Sequence, residues 1–468
     1  MRNGSGPRHY IVVDLGYGDA GKGTVVDWLC SRGGAEPVRA QPVRTVVRFN
    51  GGAQAGHNVV TADGRHHTFA QFGSGTFTPG VRTHLSRFVL VDPLALPAEA
   101  AHLASAGVPD ALDRLTVDVG ALLTTPYHAA ANRAREQARG RQRHGSCGMG
   151  IGETARYARD HPADAPRARD CLTPRVLARK LTALRDRLAG EVGTLDAPAV
   201  ADVCAAYRAF AERVALADEG FLSRVLRQGQ QAVVFEGAQG VLLDEWHGFH
   251  PYTTWSTTTF ACAETLLAEA RLAGAEATAT RIGVTRCYQT RHGPGPFVTE
   301  DPRLELPEPH NERGAWQGEF RTGHLDAVAL RYGLEVAGGA DVIALTHLDT
   351  AARHPELRIC RGYDIDGEKV TRLPARPAGD LNAQEALTSR LLRARPVYDD
   401  ADGDWASIVE EALGVPVALA SYGPRAHDKH IPERRWLGPA GQHHDRPPAA
   451  AAPVPCRRSR DRDTLGYG

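Results

Sequence analysis

The stretch GYGDAGKGT, Gly16 to Thr24, follows the apolar run Ile11-Val12-Val13. Gly16, Gly21 and Lys22 satisfy the G-x-x-x-x-G-K half of a phosphate-binding loop. Such a loop points backbone N–H groups and a helix N-terminus at an anion, and its lysine adds a compact charge. Two residues depart from the pattern. Gly23 stands where a Ser or Thr would hold Mg²⁺, and a carboxylate, Asp19, lies inside the loop. A carboxylate beside phosphates is repelled unless it ligates a metal, takes a proton from a substrate, or does both. Asp19 could therefore replace the missing hydroxyl as a metal ligand. Without Asp19, the motif would read equally well as a tight turn.

Three further segments carry polar groups at strand ends. FNGGAQAGHN, Phe49 to Asn58, is a Gly-dense turn that ends in His57. A lone histidine is more often structural, but glycines here would let backbone approach a ligand closely. FEGAQGVLLDEWHGFHPYTTWSTTTFA, Phe235 to Ala261, sets Gln239 between Ala and Gly at a strand end. Its Thr/Ser cluster, Thr253 to Thr259, is either a β-prone run or a source of hydroxyls for a phosphate. THLD, Thr346 to Asp349, ends an apolar strand. An Asp there can accept the N1 and N2 hydrogens of guanine, and a simple turn is the competing reading.

The elements that must position these groups alternate. HYIVVDLG, RTVVRFN, RFVLVDPLAL, RLTVDVGALL, QAVVFEG, ATRIGVTRCYQT and ADVIALTHLD read as strands. Helical patterns follow in KGTVVDWLCSRG, TTPYHAAANRAREQARG and WASIVEEALG, and dominate from about 167 to 230. The expected fold is therefore α/β, a P-loop-like, largely parallel sheet flanked by helices. Ligands in such sheets gather beyond the carboxyl ends of the strands.

At 468 residues and 42% hydrophobic content, the chain can bury a large core. Zero net charge gives no long-range field for nucleic acid or a membrane surface. No apolar run reaches membrane-spanning length, and the start lacks an apolar signal core. Eight scattered cysteines without a C-x-x-C pair speak for reduced thiols and against a zinc site, and a cytoplasmic setting is expected. Residues 1–437 are expected to form one domain, with 167–230 as a helical insertion. The Pro/Ala-rich stretch 438–468 reads as a disordered tail.

Taken in order, these segments resemble the adenylosuccinate synthetase family. Its patterns GDEGKGK, NGGxNAGHT, TTxRGIGP, FEGAQGxxLD, TRVGxGPFPTE, TTGRxRRxGWLD, LTKLD and STGP find GDAGKGT, NGGAQAGHN, SCGMGIGE, FEGAQGVLLD, TRHGPGPFVTE, AWQGEFRTGHLD, LTHLD and SYGP. The match runs from about Ile11 to Pro424. The resemblance implies a two-step reaction. GTP phosphorylates the 6-oxo oxygen of IMP, and the amine of aspartate then displaces phosphate, a far better leaving group. It implies Asp19 as base and Mg²⁺ ligand and His57 as acid. It implies a Gly56 carbonyl on Mg²⁺, and Gly18, Gly21, Lys22, Gly23 and Thr24, with Asn58, around the phosphates of GTP. His347, Leu348 and Asp349 would meet guanine, with Ser421, Tyr422 and Gly423 near it, and Arg321 matches an arginine on the GTP side. Gln54, Cys147, Gln239, Thr254 and His292 fall at acceptor-nucleotide positions. A homodimer is implied as well.

The departures cluster on the acceptor and the amine. Gln54 replaces an Asn, Cys147 a phosphate-binding Thr, Met149 an Arg and His292 a Val. In the amine loop, Trp316 and Gln317 replace two threonines and Glu319 replaces an arginine. Aspartate brings two carboxylates, so a Glu in place of Arg turns attraction into repulsion. Losing one charge-assisted bond of this kind costs about 1.5–3 kcal/mol. Three readings stay open: an ordinary adenylosuccinate synthetase with a diverged loop, a paralogue using a related acceptor or another amine, and a GTP-binding regulator without catalysis.

Overall fold

The computed structural model describes residues 8–31, 41–140, 143–229, 231–308, 316, 318–401 and 403–432. Gln317 and the 438–468 stretch lie outside them. The architecture grows from the strand Arg8–Asp14. Its alternate side chains enter two different cores, as a pleated strand requires. Tyr10 and Val12 pack with Val25, Val26 and Trp28 from the helix Lys22–Ser31. Ile11 and Val13 pack with Phe260, Leu266 and Leu267 beside and within the helix Ala261–Leu272. A strand buried on both faces reads as a continuous apolar run, which explains IVV.

Around this strand lies a sheet of ten strands. Its order is Lys429–His430, Val417–Ser421, Val342–Thr346, Thr278–Arg286, Arg8–Asp14, Ala232–Glu236, Val43–Arg48, Arg82–Leu85, Leu115–Asp118, Ala215–Ala217. Every pairing is parallel except that of Lys429–His430, which runs antiparallel on the edge. Parallel strands bring Asp14, Arg48, Glu236, Arg286, Thr346 and Ser421, each a strand's last residue, to one edge.

Some local expectations fail. RFVLVDPLAL yields only the two-residue strand Leu90–Val91, and chain from Ala95 to Ser105 is helix. Pro93 and the Ala/Leu/Glu content beyond it favour that outcome. The 167–230 stretch is mainly helical, with Pro174–Val192 and Val200–Arg213, yet it also supplies the edge strand Ala215–Ala217. Among the described residues, Cys30, Cys147, Cys171, Cys204, Cys287 and Cys360 are free thiols.

Burial leaves a titration signature in this core. Burial pushes His9 and His84 down to about 4 and His128 to about 3. Each is neutral in the fold, and His9 and His128 accept backbone N–H bonds at Nδ1. A histidine lowered in the folded state leaves the unfolded chain binding more protons, so stability falls as pH drops from about 6.5 toward 4, by at most about 3 kcal/mol per group. Asp27, Asp92, Asp118, Asp244 and Asp326, raised by burial, work in the opposite sense, but His57, His144, His247, His250, His324 and His347 are lowered as well, so the lowered histidines outnumber them. Melting temperature should therefore fall steadily from pH 7 to 4.5, and His84→Gln should flatten that slope. A Tm constant across the range would contradict this assignment.

Candidate active site

The buried Asp14 carboxylate organises the first turn. Its Oδ1 accepts from Gly16 N at 2.9 Å and Gly18 N at 3.3 Å, and its Oδ2 accepts from Ala20 N at 2.9 Å. Lys22 Nζ lies 3.1 Å from the same Oδ2, with the lysine only 3% exposed. A buried ammonium needs such a partner. Amides 16, 18 and 20 therefore hold the loop, while those from Gly21 onward, leading into the helix Lys22–Ser31, are the ones available to phosphate. The Thr24 hydroxyl does not stand in for the missing metal ligand. It donates to Pro424 O at 2.6 Å and ties the helix to the 421–425 turn.

Asp19 sits at the loop tip with φ 57°, in the left-handed region. Arg286 Nε donates to its carbonyl at 2.6 Å, and His292 Nε2 lies 3.1 Å from its Oδ2. Burial would raise the Asp19 pKa, but His292, then Arg286 and Lys22, hold it below the ordinary range. Asp19 is thus ionised and pointed by two groups that the sequence reading did not connect to it.

His57 begins the strand His57–Val60, and its Nδ1 is 2.6 Å from Glu236 Oε1. Glu236 also accepts from Ser74 N at 2.9 Å and from the Ser74 hydroxyl. Burial would raise Glu236, yet Arg48 and His57 bring it down to about 2. Burial, followed by Arg48, lowers the His57 pKa against the pull of Glu236. At rest the imidazole is neutral, donates Nδ1–H to Glu236, and keeps Nε2 for a ligand. Negative charge arriving at Nε2 would favour its protonation.

A third turn closes on the first two. A Cβ at Gly240 would lie 2.2 Å from Gly16 O and 2.4 Å from Gly18 N. Asn50 Nδ2 donates to Ala238 O at 3.0 Å while Ala238 N donates to Asn50 Oδ1 at 2.7 Å. Gln239 has φ 57°. The carboxamide oxygens of Gln239 and Gln54 crowd the missing Cβ positions of Gly51 and Gly52, each at 3.1 Å. Both oxygens are buried without a hydrogen-bond partner among the described residues. That is an opening for N–H donors of a ligand.

On the far side, Thr346 Oγ1 donates to Ala20 O at 2.8 Å, so the THLD turn is fastened to the loop. His347 takes φ 61° and is buried well below its ordinary pKa. Asp349 pairs with Arg353 at 2.9 Å. Ser421 Oγ donates to Gly423 O at 3.0 Å, and Lys429 Nζ reaches the carbonyls of Gly423 and Arg425 at 3.3 and 2.9 Å.

The amine loop rises from an antiparallel pair, Gln289–His292 with Phe320–Gly323, in which His292 faces Phe320. Arg321 donates to Glu300 at 2.8 Å and to the carbonyls of Gly293 and Gly295 at 2.7 and 3.0 Å, contacts that brace this turn. Trp316 covers Gly148, with the Arg133 and Arg143 guanidiniums 5.9 and 6.0 Å from its ring. This brings the amine loop onto the turn bearing Cys147, whose thiol burial pushes up. Next to Thr254, Trp255 holds Arg159 at 5.2 Å.

Among the described residues, no group of three or more His, Cys, Asp or Glu could hold a metal. An ionised Asp19 with a Gly56 carbonyl fits Mg²⁺, a cation that accepts one carboxylate and completes its shell with substrate phosphates and water.

Residues 11–430 match the family model described as adenylosuccinate synthetase. The chain belongs to the adenylosuccinate synthetase family. It is 34% identical over 447 residues to the adenylosuccinate synthetase of Frankia alni, covering 88% of this chain and 96% of that protein. To that of Saccharopolyspora erythraea it is 32% identical over 411 residues, covering 85% and 88%. The fold is similar to fully ligated adenylosuccinate synthetase from Plasmodium falciparum, with a TM-score of 0.74 at 21% identity over 91% of this chain and all of that one. The protein is accordingly an adenylosuccinate synthetase-like, GTP-dependent ligase that forms C–N bonds.

Local spacing singles out Asp19, Lys22, His57 and Gln239 but not the residues that touch them. Asp14, Arg48 and Glu236 were legible only as charged residues ending apolar strands. Two outcomes test the arrangement. Gly240→Ala should force the 237–240 turn off the Gly16–Gly18 backbone, lowering turnover at least 10-fold and Tm by several degrees; unchanged kinetics would refute the contact. Glu236→Gln should leave GTP affinity within a few-fold while kcat falls about 10²- to 10⁴-fold, because the imidazolium loses its counter-charge. Equal loss of GTP binding, read by nucleotide titration, would show a structural role instead.

Proposed function

We propose that this ligase uses Mg²⁺–GTP to phosphorylate the oxo group of IMP or a closely related lactam, and that an amine other than aspartate then displaces the phosphate. The observation that carries the reading is the direct packing of Gly240 on Gly16 and Gly18. It sets Gln239 beside the phosphate loop that holds Asp19 and Lys22. The working unit is taken to be a cytoplasmic homodimer, as in the family pattern.

Each group has a task in this scheme. Gln239 and Gln54 offer paired donor and acceptor atoms to the lactam edge. Asp19 removes the ring N–H proton, which makes the ring oxygen nucleophilic. Lys22 exchanges part of its contact with Asp14 for the phosphates. His57, backed by Glu236, meets charge that develops as the γ-phosphoryl moves. Asp349 reads guanine. Mg²⁺, bound by Asp19 and the Gly56 carbonyl, would neutralise phosphate charge.

The altered amine rests on Glu319 and Trp316, and on Arg321 being engaged by its own turn. With IMP as acceptor, phosphate release should be supported at least 10-fold better by another amine in a panel than by aspartate. Asp19→Asn should abolish release while GTP still binds. Full turnover with aspartate would return the chain to ordinary purine synthesis. GTP binding without phosphate release for any acceptor and amine would make it a regulator.

A further inference from the structure

Lys429 is a buried ammonium outside the reaction steps. It lies on the antiparallel edge strand Lys429–His430, opposite Ser421 in register, and is 7% exposed. Its Nζ donates to Arg425 O at 2.9 Å and to Gly423 O at 3.3 Å. Ser421 Oγ donates to the same Gly423 oxygen at 3.0 Å. Thr24 Oγ1 donates to the carbonyl in between, Pro424 O, at 2.6 Å. Three consecutive carbonyls of the 421–425 turn are thus occupied from inside the protein. The amides are used differently. Tyr422 N donates to Asp428 O at 2.9 Å and Arg425 N to Asp428 Oδ2 at 2.8 Å, while Pro424 has no N–H to give. Gly423 N–H is left without a partner among the described residues.

This turn stands where the base of a nucleotide would lie. Its strand, Val417–Ser421, pairs in parallel with Val342–Thr346, whose end leads to Asp349. Both turns are fastened to the phosphate loop, one by Thr24 on Pro424 O and the other by Thr346 on Ala20 O. A nucleotide with its phosphates on the amides from Gly21 onward therefore reaches these two turns with its base.

Satisfying the carbonyls does not require the lysine. Without it, Gly423 O keeps the Ser421 hydroxyl, and Arg425 O keeps Asp428 N at 3.1 Å. The ammonium adds geometry and charge. One compact group with three donors ties two carbonyls that are two residues apart, which fixes the curve of the turn. Burial brings its pKa down to about 8 against the pull of Asp27 and Asp428, so it is charged at neutral pH. A charge enclosed behind a turn is screened far less than one in water, and it favours the oxygen end of a ligand dipole over an amino group.

We propose that Lys429 is a positioning residue for the base of the phosphoryl donor: it holds the 423–425 carbonyls off the ligand, and keeps the Gly423 N–H and a positive potential for a 6-oxo oxygen. This rests on GTP as the donor in the proposed function. Asp349 reads the other groups, N1–H and the 2-amino group, so the two turns divide the base between them. A 6-amino purine would set N–H against N–H at this turn and bring no N1 proton to Asp349.

Substituted nucleotides separate the two turns. ITP lacks only the 2-amino group, and 6-thio-GTP replaces only the 6-oxygen, by sulfur, a weak acceptor. Equilibrium titration of the full chain with each Mg²⁺–nucleotide needs neither acceptor nor amine. Wild type should bind GTP about tenfold tighter than 6-thio-GTP, the worth of one hydrogen bond. Lys429→Met, similar in length and uncharged, should reduce that ratio to about twofold through weaker GTP binding. Its GTP-to-ITP ratio should stay within about twofold of wild type, because Asp349 is untouched. A merely structural lysine would move both ratios together or neither. Lys429→Gln keeps one donor, should fall between, and carries the comparison if Lys429→Met does not fold. An unchanged 6-thio-GTP ratio, an equal change in both ratios, or a wild type indifferent to the 6-oxygen would overturn the role of Lys429. So would loss of folding in both variants. The GTP reading stands in each of those cases where wild type prefers GTP to ATP. A wild type that binds ATP as tightly as GTP would overturn that reading and this inference with it.

Discussion

The buried carboxylate of Asp14 is the constraint on which the site depends. It sits at the end of a strand that is apolar on both faces, and it is 1% exposed. Three loop amides and one lysine surround it. A carboxylate that deep is tolerated only when its lone pairs are met and its charge is balanced. Satisfying it curls the chain into a turn of fixed shape and draws the Lys22 ammonium inward. The same turn throws Asp19 outward at positive φ. The phosphate loop is thus built around an anion of its own, and a bound phosphate would compete for the same lysine.

A second buried carboxylate plays the parallel part on the neighbouring strand. Glu236 orders His57 and Ser74, with Arg48 as the nearby positive charge. The two strands pair directly, with Val12 opposite Glu236. The two buried carboxylates therefore end adjacent strands of one parallel sheet and share its rigidity. The glycines at 51, 52 and 240 let backbone and carboxamides approach where any side chain would collide. Function here depends on close backbone packing between turns, which is why the motifs are rich in glycine.

The pattern of change follows the chemistry. The segments around Asp19, Lys22 and His57 stay close to the family's motifs. The positions 54, 147, 149, 292, 316, 317 and 319 depart from them in charge, size and hydrogen-bonding capacity. Trp316, resting over Gly148, brings two of these regions into contact.

Local pattern settled much in advance. Apolar runs of four to six residues marked the central strands, because such strands are buried on both faces. Glycine spacing marked the turns at their ends, and Asp19, Lys22, His57 and Gln239 were legible from those turns alone. Where burial and pairing were weak, pattern misled. RFVLVDPLAL has a strand's composition, but Leu90–Val91 has just the two-residue Leu122–Leu123 and a single bridge to Gly52 for pairing, and the helix after Pro93 takes the rest. Tertiary structure alone decided which carboxylates were buried scaffolds and which were reactive groups. Asp14 and Asp19 are both acids near one lysine in the sequence. One is enclosed by its own loop, and the other is presented to His292 from a strand about 270 residues away along the chain. Contacts between distant segments set pKa and direction, and no local spacing encodes them.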